Sequence, residues 1–127
     1  RRWSHVAFVF DGGTVTLFVD GVQQSQRSVP GGHRASRKRF MIGADPNYTN
    51  SPTGMFPGAI REVRLSRTAR YDQSFTPAER FQADSETLAL YHLDVVEGNT
   101  TPDASGQGHP ARLHGAKWLD AKAVDTP

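Results

Sequence analysis

The residues best suited to chemistry fall in one polar stretch, residues 45–55, where Asp45, Asn47 and Asn50 flank an aromatic ring, Tyr48. Carboxylate and amide oxygens are hard donors, of the kind Ca²⁺ gathers in sets of about six to eight. The same groups bind sugar hydroxyls, while an aromatic face stacks on pyranose C–H groups. Asp103 offers a further carboxylate. The candidate metal ligands are Asp45, Asn47 and Asp103, and the candidate ligand-binding set is Tyr48, Asn47 and Asn50, with Tyr71 as a second aromatic. Asp and Asn are also turn formers, because their side chains bond local backbone amides. On the residues alone both readings stand.

Other chemistries find less support. Cysteine is absent, which removes disulfide scaffolds, thiol catalysis and Cys-ligated zinc from this chain. The five histidines, His5, His33, His92, His109 and His114, form no H-E-x-x-H motif. His5 and His92 fall in strand-like runs and read as hydrogen-bonded structural residues. Ser105 lies in Asp103-Ala104-Ser105-Gly106, which lacks the glycine two residues before the serine that a nucleophile elbow carries. Asn47-Tyr48-Thr49 and Asn99-Thr100-Thr101 match N-glycosylation acceptors, relevant only in a eukaryotic secretory setting. The net charge of +2 is too small to dictate a partner. Arg34, Arg37, Lys38 and Arg39 form a local basic cluster, but the loop carries no interleaved aromatic before Phe40, so nucleic acid is not the expected partner.

The elements that must position these residues read as strands. Chain length suits one domain, and 12 Gly and 8 Pro supply turns for an all-β fold. Residues 4–10 carry Val6, Phe8 and Phe10 on one face and Ala7 and Val9 on the other, a strand buried on both sides. Asp11-Gly12-Gly13 and Asp20-Gly21 mark two reversals, giving three consecutive antiparallel strands through residues 14–20 and 22–29. In the middle strand Val15, Leu17 and Val19 are expected inward, with Thr14, Thr16 and Asp20 outward. Further strands are expected at residues 39–44, 59–66 and 88–93, and a brief pairing at 111–113. One helical turn is expected over residues 77–81, capped by Thr76 with Pro77 first and Glu79 third. The expected core is Phe8, Phe10, Leu17, Val19, Ile42, Val63, Leu65 and Leu90. No run approaches the roughly 18 apolar residues of a membrane span.

Three blocks carry a resemblance. The first runs Trp3-Ser4-His5-Val6-Ala7, Asp11-Gly12, then Leu17-Phe18-Val19-Asp20-Gly21. The second is Ile42-Gly43, a variable loop, then Phe56-Pro57-Gly58-Ala59-Ile60-Arg61-Glu62-Val63-Arg64. The third is Leu90-Tyr91-His92-Leu93-Asp94, then Asp103-Ala104-Ser105-Gly106-Gln107-Gly108-His109 and Gly115-Ala116-Lys117-Trp118. Together they resemble the laminin-G-like jelly rolls of the concanavalin A-like lectin/glucanase superfamily, as found in large bacterial surface proteins. The resemblance implies an antiparallel jelly-roll β-sandwich over residues 1–118, with 119–127 a tail, and a Ca²⁺ near its rim for which Asp45, Asn47 and Asp103 are the ligands expected. Relatives place the third block before the first, so residues 88–118 are either a completing strand or the start of a second repeat. Strands that precede the first block in the family are missing here. The resemblance therefore implies an incomplete fragment, with the remaining strands supplied by another segment or chain.

Function follows as expectation. Glucan-cutting members place glutamates in an E-x-D-x-E pattern on one strand, close enough for a retaining mechanism. Glu62, Glu79, Glu86 and Glu97 form no such pattern, and a non-catalytic segment is expected. The expected role is carbohydrate recognition, with adhesion to a surface protein or a structural spacer as alternatives. The expected location is secreted, periplasmic or cell-surface.

Overall fold

A computed structural model of the chain describes residues 2–32 and 34–120. His33 and residues 121–127 of the expected tail lie outside the described residues. Strands are the regular elements of the described chain: β1 Val6–Phe10, β2 Thr14–Val19, β3 Val22–Ser28, β4 Asp45–Pro46, β5 Pro52–Thr53, β6 Val63–Ser66, β7 Thr87–Tyr91, β8 Thr100–Thr101 and β9 Ala111–Arg112. All pairings are antiparallel: β1–β2–β3, β4–β5, β6–β7 and β8–β9.

The first sheet follows from turn chemistry. Val19 pairs with Val22, leaving Asp20 and Gly21 as a two-residue loop with φ of 50° and 78°. Two consecutive positive φ values are the geometry that Asp-Gly suits best in a tight hairpin. Asp20 also fastens the start of β1, since its carboxylate accepts from the His5 N–H at 2.9 Å and from the Arg2 guanidinium at 2.6 Å. Its acidity rises accordingly: the His5 N–H bond chiefly, with Arg2 and Ser4 beside it, lowers its pKa against the opposing effect of burial.

Which face of this sheet is packed differs from the alternation expected in the sequence. Cross-strand partners share a face, and Val9 pairs with Thr16 while Ala7 pairs with Phe18. This face is the buried one: Phe18 is 0% exposed and Thr16 only 7%. Its cover comes from the irregular segment 67–86, where Tyr71 and Phe75 stack with centroids 3.5 Å apart and planes 5° apart. Phe75 meets Phe18 edge-on at 5.5 Å, and His5 meets Phe75 and Phe81 edge-on at 5.5 Å each. The Phe75 N–H donates to the Gly21 carbonyl at 3.0 Å, tying the cover to the hairpin. The opposite face carries Val6, Phe8 and Val22, which remain 55%, 74% and 54% exposed. Phe8 and Phe10 thus leave the expected core, Leu17, Val19, Ile42, Val63 and Leu65 are half-buried, and Leu90 alone of that set is fully buried.

The β6–β7 pair closes the other end of the cover. Arg64 lies opposite Leu90, sets its guanidinium 4.7 Å from the Phe81 ring and donates to the Tyr71 hydroxyl at 3.1 Å. Arg70 grips the Asp84 carboxylate with two nitrogens at 2.7 and 2.6 Å and also reaches Ser66 and Thr87. Glu62, just before β6, accepts from the Phe81 N–H at 2.9 Å and lies 2.6 Å from His92, just after β7. His92 is thereby a clasp between strand ends.

Three expected elements change. Residues 77–81 form no helix, because Phe75, Phe81 and Tyr71 are spent on the sheet face rather than on a helical period. Residues 39–44 form no strand, since Gly43 turns the chain at φ 74°, outside the extended region. The stretch 45–55 is more ordered than a loop: it holds the short hairpin β4–β5.

Candidate functional site

The β4–β5 hairpin carries most of the expected ligand residues on four consecutive positions, Asn47 to Asn50. Its tip is built by Asn47. The Asn47 side-chain oxygen accepts from the Thr49 N–H at 2.8 Å, the Thr49 hydroxyl at 2.7 Å and the Ser51 N–H at 3.0 Å. Backbone bonds from Asn47 N–H to the Ser51 carbonyl and from Asn50 N–H to the Asn47 carbonyl close the turn. Asn50 sits at φ 60°, a conformation Asn tolerates better than most residues. Its side-chain oxygen accepts from the Arg39 N–H at 3.1 Å. Lys38 reaches in from the preceding loop and donates its ammonium to the Asn47 carbonyl at 2.8 Å.

This bracing leaves one ring on display. Tyr48 is 90% exposed at the apex of a turn whose backbone is fixed on both sides. A ring held this way loses little freedom when a flat apolar face settles on it, which favours stacking. Asp45 lies exposed at the hairpin base. Thr53 faces it across the β4–β5 pair, and a Cβ on Gly54, the next residue, would lie 3.7 Å from an Asp45 carboxylate oxygen.

The other expected residues go elsewhere. Tyr71 is half-buried, with one ring face against Phe75 and its hydroxyl taken by Arg64. It serves the sheet cover, and its stacking face is occupied. Asp103 belongs to the 102–110 turn: one oxygen accepts from the Leu90 and Ser105 N–H groups at 2.9 Å each, the other from His109 N–H at 3.1 Å. Burial opposes its charge, yet these donors outweigh burial and lower its pKa. Its task is to pin the turn onto β7, helped by the Tyr91 hydroxyl donating to the His109 carbonyl at 2.7 Å.

The fit to Ca²⁺ is poor on these contacts. Asn47 has three donors on its side-chain oxygen and an ammonium on its carbonyl, and Asp103 spends both oxygens on backbone amides. Of the three residues expected to hold the ion, Asp45 alone keeps its carboxylate outside the hydrogen bonds described above. One carboxylate falls far short of the roughly six to eight oxygens Ca²⁺ needs. Among the described residues, no group of three or more His, Cys, Asp or Glu could hold a metal ion.

The first block of the chain is decisive for kinship: the laminin-G family profile, described as concanavalin A-like lectin/glucanases superfamily, matches residues 1–74. The chain belongs to the concanavalin A-like lectin/glucanase superfamily. The matched span contains the β1–β3 sheet, the basic loop and the whole β4–β5 hairpin, so the candidate site lies within the superfamily domain. Neither the curated proteins nor the solved structures yield a significant match. Membership agrees with the antiparallel all-β architecture and points to a binding module of jelly-roll type. No helix of the described residues is long and apolar enough to cross a membrane.

Two features of the superfamily domain escaped the sequence. The bracing of the hairpin by Lys38 and Arg39 joins residues 9 and 11 positions apart, and no local pattern announces it. The role of Tyr71 was hidden because an irregular segment reads as surface. The aromatic spacing Tyr71, Phe75, Phe81 was the available signal, since three rings within 11 residues seldom all face water.

Proposed function

We propose that the chain is a non-catalytic module that binds carbohydrate at a cell surface or in extracellular material, through the tip of the β4–β5 hairpin. The observation that carries this reading is Tyr48, 90% exposed on a turn braced from within by Asn47. Superfamily membership supports it. The ring stacks on the C–H face of a pyranose, and Asp45 with the Asn50 amide nitrogen meets its hydroxyls.

A glycan array probed with the protein, with Ca²⁺ and with chelator, tests the reading, and equal binding in both is expected. Tyr48→Ala should weaken binding of a captured glycan by about 1 kcal/mol or more, the range of an aromatic contact. Folding stability should stay within about 0.5 kcal/mol, as expected for an exposed site. Unchanged affinity would place the site elsewhere.

A second reading draws on another observation. Val6, Phe8 and Val22 present an apolar face 54% or more exposed at each residue, a surface suited to strands from another segment or chain. In that case the module is an adhesion or spacer unit, and a protein partner rather than a glycan is captured.

A further inference from the structure

The side of the first sheet turned away from the segment 67–86 is more apolar than a solvent face should be. An antiparallel sheet with one face in water usually turns polar residues to it. Cross-strand partners share a face, and pairing sorts this one into three rows: Val6, Val19 and Val22; Phe8, Leu17 and Ser25; Phe10, Val15 and Arg27. Arg27 alone of them is charged. Val6, Phe8, Phe10 and Val22 are 55%, 74%, 37% and 54% exposed. At about 150–250 Å² for an aromatic side chain, and somewhat less for valine, these four leave roughly 400 Å² of apolar surface in water. A contiguous patch of that size marks an interaction surface.

The pattern of the rows fits a copy of itself. Phe8 is the most exposed of the four, and its row ends in the small Ser25 on β3. Turning a second copy about an axis along β2 lays β1 of each on β3 of the other and keeps every row in register. Phe8 then settles over Ser25 of the second copy, Val6 over Val22, and Leu17 meets its own counterpart. Arg27 comes over Phe10, its guanidinium against an aromatic ring and its stem along apolar surface. An axis across the strands instead sets Phe8 on Phe8, Ser25 on Ser25 and Arg27 on Val22, which leaves a clash, a hollow and an unanswered charge.

We infer that two copies of the chain associate through this face, sheet on sheet about a two-fold axis along the strands, β1 of each covering β3 of the other. Isologous contacts of this kind are the commonest in homo-oligomers, and aligned sheets pack at about 10 Å. Two such faces withdraw about 800 Å² from water; the stem of Arg27 and the half-buried Val15, Leu17 and Val19 bring the total to about 1,000 Å², the floor for a specific interface. The dimer is therefore a weak one. Nothing in this arrangement depends on what the β4–β5 hairpin binds.

Sedimentation of the full 127-residue chain from about 1 to about 500 μM reads the association, and the mass should rise from 14.0 kDa toward twice that value, with a midpoint at about 10–100 μM for an interface of this size. Phe8→Ser should raise the dissociation constant at least tenfold. Ser25→Glu should do the same, and because Ser25 is exposed on β3 its thermal midpoint at the lowest concentration should match that of the unmodified chain. Ser25→Phe should also weaken self-association, since it sets one ring on another. An equal mixture of Phe8→Ser and Ser25→Phe chains should dimerise again, because each small residue then faces a ring. A chain that stays monomeric throughout while its face binds an apolar dye would overturn the inference and assign the face to the strands of a different protein. A dimer insensitive to Phe8→Ser and Ser25→Glu would place the contact on another surface, and failure of the mixture to recover would refute the laying of β1 on β3.

Discussion

The inversion of the first sheet makes a sharp comparison between two phenylalanines on neighbouring strands. Phe18 is 0% exposed, against the edges of Phe75 at 5.5 Å and Tyr71 at 6.2 Å, whereas Phe8 is 74% exposed. A fully buried phenylalanine removes about 200 Å² from water, worth about 5 kcal/mol at about 25 cal/mol per Å². Measured Phe→Ala losses in cores are about 3–5 kcal/mol, and Phe18→Ala should fall in that range. Phe8 buries about a quarter as much surface, so Phe8→Ala should cost about 1 kcal/mol. Urea titration of both variants, followed by circular dichroism with a common m value, reads the difference directly. Equal losses, or a Phe8→Ala loss above about 3 kcal/mol, would show that the Phe8 face is the packed one and refute the assignment made from the structure.

Three further expectations follow from particular contacts. Burial foremost, then the charge of Arg64, lowers the pKa of His5 from 6.5 despite the opposing Asp20, and its Nδ1 is buried without a partner. The unfolded chain therefore takes up the His5 proton more readily, so stability is full above pH 6.5 and falls as pH drops from there to the folded pKa. Thermal midpoints measured across that window should show the decline, and His5→Phe should abolish it; a decline that survives the substitution belongs to another group. Asp84, Asp20, Asp94 and Asp103 have lowered pKa values and lose their contribution only as pH falls below their ordinary value near 3.8, so the two limbs are separable. Gly21→Ala should destabilise far more than Gly12→Ala: both sit at positive φ, but a Cβ at Gly21 would lie 1.8 Å from the Phe75 carbonyl oxygen while Gly12 has open space. Equal midpoints for the two alanine variants would mean that segment 67–86 does not rest on the hairpin.

What the sequence disclosed depended on the range of the interaction. The turns at Gly12 and Asp20-Gly21 are local, decided by positive φ, and they were legible together with the three strands they join. The face of those strands was not. Val15, Leu17 and Val19 form a cleaner apolar set than Thr16, Phe18 and Asp20, and period-2 patterning favours the former. The outcome was set by Tyr71, Phe75 and Phe81, more than 50 residues beyond β2, which bring rings to the Phe18 side. The same distance hid the hairpin. β4 and β5 are two residues each, too short for any pattern, and their register is held by Asn47 and by bonds from Lys38 and Arg39. Tyr48, Asn47 and Asn50 were singled out in sequence because polar loops on rigid scaffolds carry ligands, and the structure sets them together on one hairpin tip. Tyr71 and Asp103 carried the same residue chemistry, and what separates them from Tyr48 is the partners that consume their ring and oxygens.

The two unoccupied surfaces of the module differ in kind, and the difference bears on which one recognises a ligand. The Val6, Phe8 and Val22 face is flat, regular and apolar, with β3 adding Ser25 and Arg27 opposite Leu17 and Val15. Such a face gains from any apolar layer at about 10 Å sheet spacing and offers few groups that would discriminate between layers. Specificity needs polar groups that a wrong partner leaves unpaired. The hairpin has them: one ring whose turn is fixed by three donors on Asn47, one carboxylate at its base, and the Lys38 ammonium bonded to the same turn. On the proposed function, recognition belongs to the hairpin and the sheet face is a packing surface. Substitutions separate the two roles: Phe8→Ser should alter association with apolar strands and leave glycan binding intact, whereas Tyr48→Ala should do the reverse.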